Sequence, residues 1–471
     1  MNDWSSRPIW QLVNRLESAG LLRRITTKVS PRLEISEITH RVAKEKGPAL
    51  LFEDVDGSDI PLLINIFGTQ RTLELGVGRS IDAQTSDIVG HFIAEGTCSP
   101  DLGATIEPAD YRDWQELNSL DALPIMQGWP GDGGLYITLP LVYTRDPRTG
   151  VTNCGVYRMQ VLDGRTTCIH WQAHSDGFRN CRLHAEAGRR MDVAVGLGCE
   201  PALVLAAAMG LPHGVSETTL AGLLRGAAVP LHMCRSVDLA VPVAAEIVLE
   251  GTVDPSEVHA EGPFGDYTGY YSADDAASVF RIKEIRHRPH PLYTSTLIGK
   301  PSLEFVEMMH FLHKIKLGTK SSKSPDIVDY WAPPEGAFTN FGFIALRKRY
   351  PGHAVDTIKA IWKETKRPSR VKILIAFDDD VNVRDLREIV WQLGSNIDPI
   401  RDVFFGDGPL DDLDHSSRKT GWGSKMGIDA TSKWPEENHA RPWPNKINMT
   451  REIRDMVDRR WRDYFPFSGD K

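Results

Sequence analysis

Apolar residues recur at helical spacing over residues 8–19. Ile9, Leu12, Val13 and Leu16 share a face, Pro8 stands at the start and Gly20 follows the end, which predicts an amphipathic helix. Ala49–Phe52 and Pro61–Phe67 are short apolar runs parted by Asp56-Gly57, and read as strands. These elements predict a small α/β unit over residues 1–105. Pro-, Asp- and Gly-containing stretches from about 99 to 134 read as a connector.

Beyond Leu135 the runs keep to strand length. Leu135–Val142, Cys154–Leu162 and Thr166–Ala173 are expected strands, turning at residues 146–150 and 163–165. Val193–Leu197 leads to a helix opened by Pro201, and Glu246–Glu250 and Ser278–Arg286 follow as strands. Short strands with Gly-rich turns predict a barrel-like sheet over 106–300 with helices around it. Leu303, Val306, Leu312 and Ile315 predict a linking helix within 301–322. Over 323–447, strands (Phe341–Leu346, Val371–Phe377) alternate with helices (Ala354–Glu364, Val383–Leu393), a βαβ layering. Asp378-Asp379-Asp380 invites a metal reading, but the expected role is to cap a helix start. In 448–471, Thr450 caps an amphipathic tail helix carrying Ile453, Met456, Val457, Trp461 and Tyr464; its own domain or a partner subunit should cover that face. The fold class is mixed α/β (α+β).

At 471 residues, two or three domains are expected. The net charge of −8 and the lack of a basic run argue against nucleic-acid binding. Six scattered cysteines with no C-x-x-C pair exclude a zinc ribbon and argue against a disulfide scaffold. No apolar run reaches membrane-spanning length and the N-terminus lacks an apolar signal core, so a soluble cytoplasmic protein is expected.

The chemistry concentrates in a few blocks. Glu261-Gly262-Pro263-Phe264-Gly265-Asp266 sets two carboxylates around a rigid turn. Held close, two acids titrate apart and become an acid/base pair; otherwise this is an acidic surface turn. Arg158, in a run of apolar neighbours, needs an anion unless it sits at a wet edge. His170 and His174 share a face on a helix or a strand and could bind zinc together, or be ordinary hydrogen-bonded core histidines. Glu217 falls in a helix's first turn, where negative charge is favoured in any case. Lys425, between Ser424 and Met426-Gly427, could approach a phosphate or be a solvated loop lysine. Asn153, His174 and Glu217 form a mixed O/N/O donor set that favours Mn²⁺ or Mg²⁺ over structural zinc.

In order and spacing, T-N-C-G-V-Y-R-M-Q (152–160), W-Q-A-H (171–174), G-V-S-E (214–217), E-I-V-L-E-G (246–251), E-G-P-F-G-D-Y-T-G-Y-Y (261–271) and S-K-M-G-I-D-A-T (424–431) resemble the UbiD family of reversible decarboxylases. The resemblance implies prenylated FMN as an electrophilic cofactor, bound by a split β-barrel between a small N-terminal α/β unit and a C-terminal α/β oligomerisation domain. It implies that Asn153, Gly155, Val156, Tyr157, Arg158, His174, Glu217 and Lys425 line the cofactor. Asn153, His174 and Glu217 would hold a divalent metal, with potassium nearby. Arg158, Glu261 and Asp266 would form the catalytic network, Asp266 donating the proton. The implied partners are a small aromatic or heteroaromatic carboxylic acid, CO₂, a flavin prenyltransferase and further copies of the chain in a dimer or hexamer. His310, His313 and Lys320 are candidates to face the substrate. Three other readings compete: the decarboxylation of a 4-hydroxy-3-polyprenylbenzoate in ubiquinone biosynthesis, a metal-dependent hydrolase using His170 and His174, and a non-catalytic scaffold subunit.

Overall fold

The structure is a computed structural model. It describes residues 4–465 apart from 81–82, 96–101, 273–274, 301–302, 306, 311, 313–324 and 364–368. The first helix, Pro8–Ser18, buries Ile9, Trp10, Leu12, Val13 and Leu16, the face its periodicity marks. It packs against a sheet ordered Leu22–Ile25, Ala49–Phe52, Leu62–Ile64 and Tyr293–Thr294. The last of these comes from far along the chain and runs parallel to Leu62-Leu63, so the N-terminal unit is stitched to the central part. The expected connector also contributes strands. Ala104–Glu107 pairs with Val229–Met233, and Gln115–Glu116 pairs with Arg286 and His287.

The central part is built on a nine-stranded antiparallel sheet. Its backbone is the pairing of Ile247–Glu261 with Asp275–His287, far longer than the two runs expected there. Three other expected strands break or stop early. Leu135–Val142 is two pieces, Tyr136–Ile137 and Leu141–Arg145, parted at Pro140, which has no N–H for a ladder. Cys154–Leu162 is Thr152–Val156 and Met159–Asp163, parted at Tyr157-Arg158. Thr166–Ala173 stops at Ile169.

The break at Tyr157-Arg158 closes the sheet. In strand order Thr152–Val156 lies at one end and Met159–Asp163 six strands away. Six spacings in a flat sheet span roughly 29 Å. Three peptide steps from Val156 to Met159 span at most about 11 Å. The sheet must therefore curl until its ends face each other, with Arg158 at the seam.

The C-terminal part is a five-stranded sheet ordered Ile327–Trp331, Phe341–Leu346, Ile373–Asp378, Trp422–Asp429 and Val403–Pro409. Its three inner strands are parallel and its two outer ones antiparallel. Alternate residues feed separate cores on the two faces: Phe343, Ala345, Ile375 and Phe377 on one, Ile344, Leu346, Leu374 and Ala376 on the other. Helices His353–Trp362 and Leu386–Asn396 fall near their expected places. The three aspartates cap no helix; Asp385 caps the following one. Asp378 instead accepts from Ser432, while Asp379 pairs with Arg347 and Asp380 with Lys446.

In the linking segment, residues 304, 305, 307–310 and 312 are helical; His310 is among them, while His313 and Lys320 lie outside the described residues. Glu304 anchors this helix, accepting the backbone N–H groups of Asn65 and Phe67 at 3.0 and 3.1 Å. The tail helix, Arg451–Tyr464, starts at the expected Thr450 cap. None of its residues is buried, so its own domain does not cover it.

Candidate active site

The seam brings together the residues that carry the chemistry. Arg158 follows the end of Thr152–Val156, and Glu261 is the last residue of Ile247–Glu261. The chain then turns sharply. Gly262 takes φ +115°, a region side chains rarely adopt, and Gly262-Pro263 is cis. Gly133 passes so close beneath that a Cβ there would strike the Gly262 carbonyl. Asp266 therefore returns to the guanidinium from the other side.

Arg158 donates to Glu261 through Nε and Nη2, both at 2.9 Å, and to Asp266 through Nη1 at 2.7 Å. A fourth contact, Nη2 to Ser272 Oγ at 3.2 Å, leaves all three nitrogens of the fork engaged. Its flat face lies over the Phe264 ring at 4.6 Å. His170 Nδ1 stands 3.2 Å from Glu261 Oε2. The Glu261 side chain is fully buried, and those of Arg158 and Asp266 are nearly so.

Burial alone would raise both acids. At Glu261 the hydrogen bonds from His170 and Arg158 outweigh it and hold the carboxyl down to about 2. At Asp266 burial wins over Arg158 and the carboxyl is raised. One acid is thus kept ionised while the other is biased to keep its proton.

Sequence reasoning assigned Arg158, Glu261 and Asp266 together, and they meet. It paired His170 with His174 on one element, which they do not share. Both lie after the strand ending at Ile169, His170 turning to Glu261 and His174 Nδ1 to Arg370 at 3.4 Å. The supports of the turn were missed. Asp132 accepts from Gly265, Gly128 and Trp129, and Gln160 accepts from Gly262 while donating to Gly133. An aspartate set among prolines and glycines (Trp129 to Gly134) was the available signal.

Glu217 comes to the strand that carries Asn153. Ser216 caps the helix Glu217–Arg225, which turns Glu217 inward so that its Oε2 accepts the Cys154 N–H at 3.2 Å. Asn153 Nδ2 reaches the Tyr157 hydroxyl at 3.4 Å, and that hydroxyl accepts the Gly177 N–H at the start of the next helix. His174 lies just before that helix, exposed. Gly155 packs on the Tyr157 ring with no room for a Cβ, and Val156 is half-buried beside it.

Of the three donors, Glu217 is the one whose surroundings suit a hard divalent cation. Burial pushes the Glu217 carboxyl up to about 7, and among the described residues no cationic side chain pairs with it. A buried carboxylate in that condition gains most from a metal ion. Lys425 is on the inner strand Trp422–Asp429, wholly buried, its ammonium donating to the Ser369 carbonyl. Ser369 precedes Arg370, the contact of His174, so Lys425 lies on a strand rather than in a loop and bonds next to that residue.

The chain belongs to the UbiD family. Three of its domain models match, described as the 3-octaprenyl-4-hydroxybenzoate carboxy-lyase N-terminal domain (residues 13–91), Rift-related domain (107–301) and C-terminal domain (306–430). An uncharacterized protein of Archaeoglobus fulgidus is 41% identical over 96% of this chain and 97% of its own length. Among solved structures, the UbiD-class enzyme HmfF from Pelotomaculum thermopropionicum, in complex with FMN, is 26% identical with a TM-score of 0.82, covering 94% of this chain and 97% of that one. An evolved dimeric form of HmfF with prFMN is 25% identical with a TM-score of 0.80, over the same shares. The vanillic acid decarboxylase of Sedimentibacter hydroxybenzoicus, at 24% identity and a TM-score of 0.82 over 97% of this chain and 98% of that one, shares the fold.

Proposed function

We propose that this protein is a reversible, non-oxidative decarboxylase of an aromatic or heteroaromatic carboxylic acid, dependent on prenylated FMN and a divalent cation, Mn²⁺ or Mg²⁺, with K⁺ as a second ion. The observation that carries this reading is the single guanidinium shared by Glu261, whose carboxyl is held down, and Asp266, whose carboxyl burial pushes up. The prenylated flavin, when bound, supplies the electron sink for the pair left as CO₂ departs. Asn153, His174 and Glu217 would hold the cation against its phosphate, with Gly155, Val156, Tyr157 and Lys425 around it.

The chain's own residues do the rest. With Asp266 protonated, the Arg158–Glu261–Asp266 trio is electrically neutral, so a carboxylate substrate can approach without repulsion. Glu261, anchored by two guanidinium nitrogens and His170, keeps Arg158 oriented. Asp266 gives its proton to the carbon that CO₂ has left. The resulting carboxylate is stabilised by Arg158 Nη1 until a new proton arrives.

The test is production of the protein with and without a flavin prenyltransferase. Co-production should yield protein carrying prenylated FMN that releases CO₂ from a member of an aryl and heteroaryl acid panel. Flavin-loaded protein that neither releases CO₂ nor exchanges solvent deuterium into any panel product would overturn the reading.

A further inference from the structure

The turn that carries Asp266 is tied to the C-terminal part. The Tyr267 hydroxyl donates to Asp411 Oδ1 at 2.8 Å, and the Tyr270 ring lies 4.1 Å from that of His415. Both partners belong to the segment between the strands Val403–Pro409 and Trp422–Asp429. Tyr267 also stacks on Phe305 of the linking helix at 5.8 Å and leans on Phe338 at 5.6 Å. Three parts of the chain thus meet at one phenol, immediately after the acid.

Asp411 is held ready for this bond. Its Oδ1 also accepts the Leu413 N–H at 3.0 Å, and its carbonyl accepts the Asp414 N–H at 3.1 Å. Asp414 is in turn anchored by Lys372 at 2.9 Å. On the other side, the Tyr267 N–H donates to Asp266 Oδ1 at 2.8 Å. The Asp266 N–H donates to the Tyr270 carbonyl, and the Gly269 N–H to that of Asp266. A shift of the phenol therefore shifts the acid relative to Arg158. Phenol to carboxylate is a charge-assisted hydrogen bond, and here it is partly shielded from water.

We infer that Asp411 is a positioning residue for the reaction: reaching over from the C-terminal part, it grips Tyr267 and so sets the Asp266 carboxyl at the point from which its proton is delivered. The inference rests on the assignment of Asp266 as the acid. The charges agree with it. Asp266 is faced by Arg158, His170, Glu261 and Asp411; burial raises it, Arg158, the Tyr267 N–H and His170 oppose, and Asp411 adds to the rise. A carboxylate arriving with the C-terminal part thus helps to keep the proton on Asp266.

The experiment compares cofactor-loaded wild type with Asp411→Asn, Tyr267→Phe, the double variant and Asp411→Glu. Tyr267→Phe keeps the ring packing and removes only the hydroxyl. Each single variant should lower kcat about tenfold, the loss expected for one charge-assisted hydrogen bond, with KM and flavin content unchanged. The double variant should be no worse than either single, because both break one bond. Asp411→Asn should move the alkaline limb of the pH–rate profile to lower pH, and Asp411→Glu should recover part of the rate. Amide hydrogen exchange in a peptide spanning 262–272 should quicken in the single variants. If the wild type is active while rate, alkaline limb and exchange ignore Asp411, or the single effects simply add, this inference falls alone. If the wild type decarboxylates nothing, the assignment of Asp266 falls and takes this inference with it.

Discussion

Glu261 and Asp266 share the Arg158 guanidinium yet shift in opposite directions, because hydrogen bonds outweigh burial at Glu261 and burial outweighs Arg158 at Asp266. Glu261 gains two guanidinium contacts and a histidine; Asp266 gains one contact and is otherwise enclosed. Asp266→Asn should therefore abolish CO₂-linked proton delivery, measured as solvent deuterium incorporation, while flavin content stays unchanged. In the wild type the rate should fall with rising pH as the raised Asp266 carboxyl loses its proton. That limb should be missing from any residual activity of the variant.

The same asymmetry predicts stability. Glu261 is depressed from about 4.5 to about 2 on folding, so its contribution is present above its unfolded pKa and is lost as pH falls toward about 2. Such a shift corresponds to a few kcal/mol, on the order of 3. Glu261→Gln should lower urea stability by that order at pH 7 and by much less near pH 2.5. Asp266, shifted upward, costs stability as pH rises past its unfolded value, so Asp266→Asn should not lower the midpoint at pH 7.

Arg158→Ala should end turnover, and it should also weaken the fold. Removing the guanidinium leaves Glu261 buried without its main cation, a loss of about 3–5 kcal/mol for broken buried pairs. Arg158→Lys keeps the charge without the fork that meets Glu261 and Asp266 together, and should recover stability more than rate. Paired urea melts and turnover assays check both.

Cation binding should depend on pH. In metal-free protein Glu217 titrates near 7, so protons compete with the cation below that value. Mn²⁺ should raise the melting temperature more at pH 8 than at pH 6, and binding should release protons. Without the cation, stability should decline as pH rises from about 4.5 to about 7, because the folded state holds the extra proton in that window. Glu217→Gln should flatten both trends and lower flavin retention through gel filtration.

The tail offers a separate test. Arg451–Tyr464 buries none of its residues, and Trp461 and Tyr464 are about half exposed. Removal of 448–471 should leave the melting temperature of the separate subunit unchanged and lower the particle mass seen by light scattering. An unchanged mass would mean that subunits, where they associate, do so without this helix.

Elements with strong periodicity were legible from the sequence, as in Pro8–Ser18, Phe341–Leu346 and the Thr450-capped tail. So was the site trio, because Arg158 and the Glu261–Asp266 hexapeptide break the apolar pattern in a way that solvation makes costly. What stayed hidden was set by distance along the chain. Tyr293–Thr294 completing the first sheet, and Gln115–Glu116 joining the central one, leave no mark in a local window. Tyr157-Arg158 lies in a run that alternation alone reads as continuous strand, and the break appears only once the sheet's two ends must meet. Asp378–Asp380 failed as a cap because tertiary partners, Ser432, Arg347 and Lys446, claimed all three.

Arg158 sits at the seam where the sheet's two ends meet, so chemical competence cannot precede pairings between segments more than a hundred residues apart, such as Thr166–Ile169 with Asp275–His287. A partly assembled chain, even one rich in secondary structure, would lack the trio altogether. Recovery of activity after dilution from denaturant should therefore trail the return of circular dichroism, and the lag would time the meeting of the barrel's two ends.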